Sequence, residues 1–549
     1  MQLGGGFVLF ALGALAATPA LASDKQDFET CDGRVHPGKQ SDGMRGEASE
    51  SAYSFGLSSS RLPAVVIGAC TRALASPRLL PTQTLRRVHL LRARAAAQLE
   101  SGDAAKALAD LDLAQAAAGG LAADRFYRRS MGVSLDLLRA LALANSGDMA
   151  GALPLAQAAS AARPYSVDVQ RVAATVLQAG RPIGTPSPSP WSAGARLTPQ
   201  AATLALVKEA EIGNFAGVVA LYPGIKIDWP SAPLAPMSFA MRDVGSQGLV
   251  VGAMVSLHVA YARAATGDVA GARRDLADLR SRVAAARPAP TPQATSTFSF
   301  GGMTWEALDR FLDVRGRQVE ARIAVAEARV PDAIAALVAA PMPHDAATIE
   351  LLGALKAAVP AKDAGLVPDV ASFSKELADD RQKALKAVVS DALLAPETPR
   401  AVVDYERARP NILGALVGGA LSLGTSLLGG IDRTDGFRTK VNPDGTTKVE
   451  FIGNTPSSAL VQEMTLLRAA EVARAAGKPG FVIVERSDYT RRLTTSRGGM
   501  PISSVAQGFK TELTIRPVDA GIEPERALDA IAIIDALGPL YYEEKQKKT

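Results

Sequence analysis

Only two cysteines and four histidines occur in 549 residues, and aromatic residues make up 5% of the chain. His36, His89, His258 and His344 are scattered, and there is no H-E-x-x-H and no C-x-x-C, so nothing offers the spaced ligands of a metal site. There is also no G-x-x-x-x-G-K-[ST] and no G-x-G-x-x-G after a strand, which removes the usual phosphate and dinucleotide cradles. Ala420-Leu421-Ser422-Leu423-Gly424 mimics a nucleophile elbow but lacks its first glycine and a preceding strand. Acid pairs such as Asp379-Asp380 and Glu543-Glu544 sit in polar surroundings and read as solvated faces. No catalytic, cofactor-binding or metal-ligating residue is assigned, and the chain reads as a non-enzyme. The net charge of +5 is slight, and basic residues are interleaved with acids. Without a basic block or stacking aromatics, nucleic acid is not an expected partner. Scarce aromatics among many alanines favour helices packed through small side chains over a large β-sandwich.

What is present is a repeated helical pattern. Leu91 to Ala118 places two helical runs on either side of Ser101-Gly102-Asp103, with Ala95 in the first and Ala107 and Ala114 in the second. Leu108, Leu111 and Ala114 form an apolar stripe, with Lys106, Asp110 and Asp112 on the other faces. Leu135 to Ala162 repeats the pattern with Gly147-Asp148, Ala152, Ala156 and Ala159, and Ser256 to Leu279 does so with Gly267-Asp268 and Ala272. One hairpin cannot bury its own stripe, so the pattern implies stacked copies in a solenoid. These segments resemble tetratricopeptide repeats, in which G-D-x-x-x-A-x-x-x-[YFL]-x-x-A closes one helix and packs the next. Gly213-Asn214-Phe215 with Tyr222 is a weaker copy, and the stretch around Asp332 a degenerate one. The copies stand farther apart than the roughly 34 residues of an uninterrupted array, so extra helices or loops intervene.

The amino terminus carries an address. An apolar run from Phe7 to Ala17 is followed by Ala20-Leu21-Ala22 before Ser23, which fits a small-x-small cleavage site, so residues 1–22 read as a signal peptide. Export to the periplasm or a periplasm-facing envelope is the expectation. No lipobox precedes Cys31. In an exported chain two cysteines suggest one bridge, Cys31 to Cys70; two independent thiols are the alternative. The context of Cys70, VVIGACTRALAS, resembles the entry segment of exported tetratricopeptide arrays.

The remaining chain divides by composition. Residues 24 to 60 are polar and glycine-rich and read as irregular, and Pro63 to Ala75 as the first helix of a helical domain over 23–180. A proline-rich linker spans 181–197, and a second tetratricopeptide-like domain spans 198–400. Its last helices are expected near Asp345 to Val359 and Val370 to Leu394. Residues 401–431 form a glycine-rich apolar connector, whose uncharged stretch Asn411 to Ile431 is long enough to cross a bilayer and contains Gly414-x-x-x-Gly418. A buried or flexible connector is the expectation there, with membrane association the alternative.

Residues 432–549 read as a small α+β sandwich. Asn442-Pro443-Asp444-Gly445 joins two strands, a helix follows to Ala476, Phe481 to Val484 reads as a central strand, Phe509 to Ile515 alternates, and a closing helix spans about Pro524 to Leu537. Gly436, Phe437, Phe451, Gly453, Asn454, Leu466 to Glu471, Gly477 and Phe481 are similar to the signature of poorly characterised proteobacterial envelope lipoproteins. The resemblance implies an envelope location and a fold but no chemistry. Arg468 and Glu471 stand i,i+3 and read as an ion pair. The fold class is thus mostly α, a tetratricopeptide-like helical-hairpin solenoid followed by a small α+β sandwich. The expected function is a non-enzymatic scaffold that holds an envelope protein in its concave groove, without cofactor. The alternatives are a small-molecule or enzymatic role for the carboxy-terminal domain, or a membrane-tethered component held by residues 411–431.

Overall fold

The hairpin loops set the architecture. A computed structural model describes residues 24–34, 36–39, 42–44, 62–184, 189–234, 244, 246–287, 303–360, 365, 367–369, 373–397, 436–453, 457–497 and 500–542, with side chains at 374 and over 492–507 excepted. Residues 1–22, where a signal peptide is expected, Asn454 and residues 411–431 lie outside the described residues. Most of the chain is helical, with one small sheet near the carboxy terminus.

The first block comprises α1 (Asp24–Asp32), α2 (Pro63–Ala75), α3 (Thr84–Ser101), α4 (Ala104–Ala118), α5 (Val133–Asn145), α6 (Met149–Ala162) and α7 (Val167–Ala179). The irregular segment expected after residue 24 is corrected by α1, a helix that buries Phe28 and Cys31 against α2 and α3. Its polar sequence conceals this because a single apolar side chain and a disulfide hold it. The second block comprises α8 (Pro199–Glu211), α9 (Phe215–Leu221), α10 (Gln247–Ala265), α11 (Val269–Ala286), α12 (Trp305–Ala326), α13 (Val330–Ala339), α14 (Ala346–Ala358) and α15 (Ser374–Ala387). Among the described residues α10 alone is long and apolar enough to cross a membrane, and 61% of it is buried within the helical packing.

Gly102, Gly147 and Gly267 take φ of 88°, 89° and 93°, a left-handed conformation that closes a helix without a Cβ penalty. The aspartate that follows each one does two jobs. Its amide reaches back five residues, to the carbonyls of Gln98, Leu143 and Arg263, and its carboxylate caps the next helix at the amides of Lys106, Gly151 and Gly271. Asn214 repeats this geometry after Gly213. The degenerate copy keeps the turn with Ala328 at φ 58° and Arg329 in place of the cap. Ala328→Gly is therefore expected to raise stability by about 1 kcal/mol, because a Cβ at a left-handed position costs about that much; chemical denaturation would measure it.

The alanines at hairpin contacts, Ala107, Ala114, Ala152, Ala159 and Ala272, are all buried. The glycines paired with them in the sequence reading do not pack: they are exposed turn residues. Asp110, expected on an outer face, is buried and takes two hydrogen bonds from Arg94, at 2.7 and 2.6 Å. The proline-rich segment is also more than a tether. Trp191 and Ala195 pack against Ala174, Ala202 and Ala205, and Leu197 enters the core of the carboxy-terminal domain.

That domain holds β1 (Gly436–Val441), β2 (Thr447–Gly453), α16 (Ser458–Ala475), β3 (Gly480–Arg497), β4 (Met500–Val518), β5 (Leu528–Asp529) and α17 (Ala530–Tyr541). The sheet is antiparallel in the order β1-β2-β4-β3-β5, with α16 packed over β2, β3 and β4 and α17 beside α16. β4, not the strand at Phe481, occupies the middle. β3 and β4 run past β2 as a long hairpin in which residues 487–507 are largely polar but include the β-formers Tyr489, Thr490, Thr494, Thr495, Ile502 and Val505, a mixture that hides them from a reading by apolar alternation. The closing helix begins at Ala530 rather than near Pro524, since Leu528 and Asp529 first pair with β3 and Asp529 then caps α17 at the amides of Ile531 and Ala532.

Candidate functional site

The first helices of successive hairpins, α3 and α5, lie side by side with α7, and the chain itself occupies the face they share. The helix expected to continue to Leu394 stops at Ala387. Two β-branched valines and Ser390 weaken helix there, and Pro396 disfavours it further on. Residues 388–397 then pass through a 3-10 turn, Ser390–Ala392, and continue without helix or strand to Glu397. Val388, Val389, Ala392, Leu393 and Leu394 join the core of the first block, so the end of the span assigned to the second helical domain, 198–400, packs in the first.

Three side chains of the first block hydrogen-bond along the strap's backbone. The Ser134 hydroxyl donates to the Ala392 carbonyl, Arg92 Nη1 donates to the Leu394 carbonyl, and the Glu397 amide donates to Ser130 Oγ at 3.0 Å. One side-chain pair adds to them, Arg171 with Asp391 at 2.6 Å. Arg92 is buried and also donates to Ser134 Oγ at 2.9 Å. Among the described residues no carboxylate hydrogen-bonds to it, and its Nε has no partner. Burial lowers its pKa to about 9, with Arg34 acting in the same direction.

The far end of the strap meets the carboxy-terminal domain in a buried ion cluster. Arg163, just past α6, donates from Nη2 to Glu397 Oε1 at 2.7 Å and from Nε to Glu463 Oε1 at 2.8 Å. Glu463, on α16, also accepts from Arg129 Nη2 at 2.9 Å and from the Tyr541 hydroxyl at 2.6 Å. Ser457 donates to Glu397 Oε1 at 2.7 Å. Two arginines thus face two glutamates, and Arg163, Glu397 and Glu463 are each at most 1% exposed. The carboxylates differ in partners. Burial works to raise the pKa of Glu463, but Arg163 and Arg129 overcome it and hold the group at about 2. Burial wins at Glu397, whose pKa is raised, with Glu463 acting in the same direction against the pull of Arg163.

A second buried cluster lies beneath α1. Asp32 accepts from Arg86 Nη2 at 2.9 Å and from the Arg34 amide at 3.1 Å, and stands 3.0 Å from His89 Nδ1. Burial drives the His89 pKa down to about 3 against the pull of Asp32, so the neutral ring carries its proton on Nδ1 and donates it. Burial likewise lowers His258 to about 4, with Arg315 adding to the effect. The sign follows. Below about pH 6.5 the unfolded rings bind protons that the folded ones refuse, so stability falls as pH falls, by about 1.4 kcal/mol per unit for each histidine until its folded pKa is reached. Urea midpoints between pH 7 and 5 should show this decline, and His89→Gln should roughly halve its slope.

Other candidates carry less chemistry. A cleft of about 360 Å³ opens between the helical blocks, lined by Trp191, Lys208, Arg315, His344 and Arg381 among others. Its charges are largely engaged: Arg315 with Asp345, Lys208 with Glu211, and His344 with Glu376. Among the described residues no group of three or more His, Cys, Asp or Glu side chains is placed to hold a metal ion. Of the carboxy-terminal signature, Gly453 is a buried end of β2, and Arg468 donates to Glu471 at 2.9 Å. Glu471 also accepts from Tyr542 at 2.8 Å, so Glu471 ties α16 to the end of α17 while Arg468 pairs with it along α16. Cys31 and Cys70 are joined in a disulfide, which is compatible with an oxidising compartment. The strap and its ion cluster escaped the sequence reading; the available signal was the break between helix-forming KALKA and VVSDALLAPE. No known protein family, no curated protein and no solved structure matches the chain.

Proposed function

We propose that this protein is a non-enzymatic interaction scaffold, exported to the periplasm or a periplasm-facing envelope, whose tetratricopeptide-like hairpins hold a segment of a partner protein in their concave groove. The envelope-lipoprotein-like domain packs against the array and positions it. One observation supports this most: the face of α3, α5 and α7 already holds ten residues of non-α-helical chain, a 3-10 turn and the segment after it, through main-chain hydrogen bonds and apolar contacts. Such contacts read the shape of a peptide more than its sequence, which suits a docking face. The disulfide supports the compartment, and the paired, enclosed charges of the two buried clusters favour structure over catalysis.

Two measurements test the reading. Cell fractionation should recover the chain from the periplasm with Cys31 and Cys70 oxidised; a reduced cytosolic protein would end the proposal. Crosslinking mass spectrometry on that fraction should map partner peptides to α3, α5 and α7. Crosslinks confined to the carboxy-terminal domain would move the function there.

A further inference from the structure

We infer that residues 388–397 are a resident occupant of the α3, α5 and α7 face, and that the partner segment displacing them brings a carboxylate to Arg92 in place of the Leu394 carbonyl. The inference rests on the scaffold reading and names the ligand class and the regulation of the same face. Its starting point is a mismatch of charge. A guanidinium excluded from water calls for an anion, since charge-assisted bonds to a carboxylate are shorter and stronger than those to a neutral oxygen. Arg92 is 1% exposed, yet its oxygen partners are a hydroxyl and a peptide carbonyl. The neighbouring arginines differ, for Arg86 meets Asp32 and Arg163 meets two glutamates. The strap therefore fills the face without giving the buried Arg92 a carboxylate.

The geometry selects the ligand. The atom on Arg92 is the backbone oxygen of Leu394, three residues before Glu397. A peptide chain that ended at this point would present a terminal carboxylate where the strap presents an amide carbonyl, while keeping the contacts of the residues before it. Val389, Ala392 and Leu393 mark the apolar positions such a segment fills, and Asp391 marks an acidic position opposite Arg171. The partner is thus a short apolar segment with one acid that makes a single 3-10 turn like Ser390–Ala392 and carries a carboxylate at its exit. Its arrival expels the strap, and Glu397 then leaves Arg163, so docking at the face also loosens one side of the clasp on the carboxy-terminal domain.

The test uses the full chain and a fluorescent seven-residue peptide, VVSDALL, matching residues 388–394, as free acid and as carboxy-terminal amide. The native protein should bind both weakly because the face is filled. Leu393→Asp, which loosens the strap, should bind the free acid at least ten-fold more tightly than the amide, and adding Arg92→Ala should erase that difference. The pair Asp391→Asn and Glu397→Gln weakens only the polar anchors and should give the same preference if Leu393→Asp disturbs folding. Equal affinity for acid and amide, or no binding by loosened proteins that still melt cooperatively, overturns the inference. The scaffold reading is scored separately by where partner crosslinks fall, so the two can fail independently.

Discussion

Replacing Arg163 with methionine is expected to destabilise the full chain by about 3–5 kcal/mol, the cost of breaking a buried ion pair by removing one partner. The side chain is fully enclosed and joins three separated stretches: the end of α6, the strap at Glu397 and α16 at Glu463. Without it Glu463 retains Arg129 and Tyr541, but Glu397 retains only the Ser457 hydroxyl. A stranded carboxylate is the larger part of the cost, so Arg163→Met combined with Glu397→Gln should recover more than half of the loss. Urea denaturation measures both, and limited proteolysis should show the carboxy-terminal domain released first in the single variant. A single variant within 1 kcal/mol of the parent, or a double variant worse than the single, would refute the assignment. The acid response of the cluster has a defined sign as well. Glu463 is held at about 2, so its contribution persists above the unfolded value near 4.3 and is lost only as pH falls from there toward 2. Glu397, with a raised pKa, shifts stability the other way. Acid loss between pH 7 and 5 therefore belongs to His89 and His258, not to this clasp.

The parts legible in the sequence were those whose cause is local. A left-handed glycine followed by a capping aspartate is written in two adjacent letters, and Gly102-Asp103, Gly147-Asp148 and Gly267-Asp268 each open a hairpin loop. The turn at Asn442 to Gly445 joins β1 and β2 for the same reason. The parts that could not be read have distant causes. Glu397 and Glu463 are ordinary acids in their own segments, and only the fold brings them to Arg163, 234 and 300 residues away. Asp110 reads as a surface acid until Arg94 closes over it from the preceding helix. Leu385 to Leu394 carry enough leucine and alanine to continue a helix, and the competing claim of Ser134 and Arg92 on their carbonyls comes from α3 and α5. Sequence periodicity reports which face of an element is apolar; it does not report which remote segment will cover that face.

Breaking the bridge by Cys31→Ser is expected to cost about 4 kcal/mol in the chain-entropy account, for two cysteines 39 residues apart. The consequence should be local before it is global. α1 has nine residues, too few to persist as a helix without tertiary support, and the bridge fastens it to α2. Phe28 and the Arg72 clasp on Asp27 are the other ties to the same neighbourhood. Once α1 lifts, Asp32 leaves Arg86 and His89, so two buried groups on α3 lose their partner together. Hydrogen exchange should therefore rise first at residues 84–92, while the sheet domain keeps its protection. Cys70→Ser and dithiothreitol should reproduce the effect, and the double serine variant should be no worse than either single one, since all three remove the same constraint. An unchanged melting curve on reduction, or losses that add in the double variant, would show that α1 is held by its packing and not by the bridge.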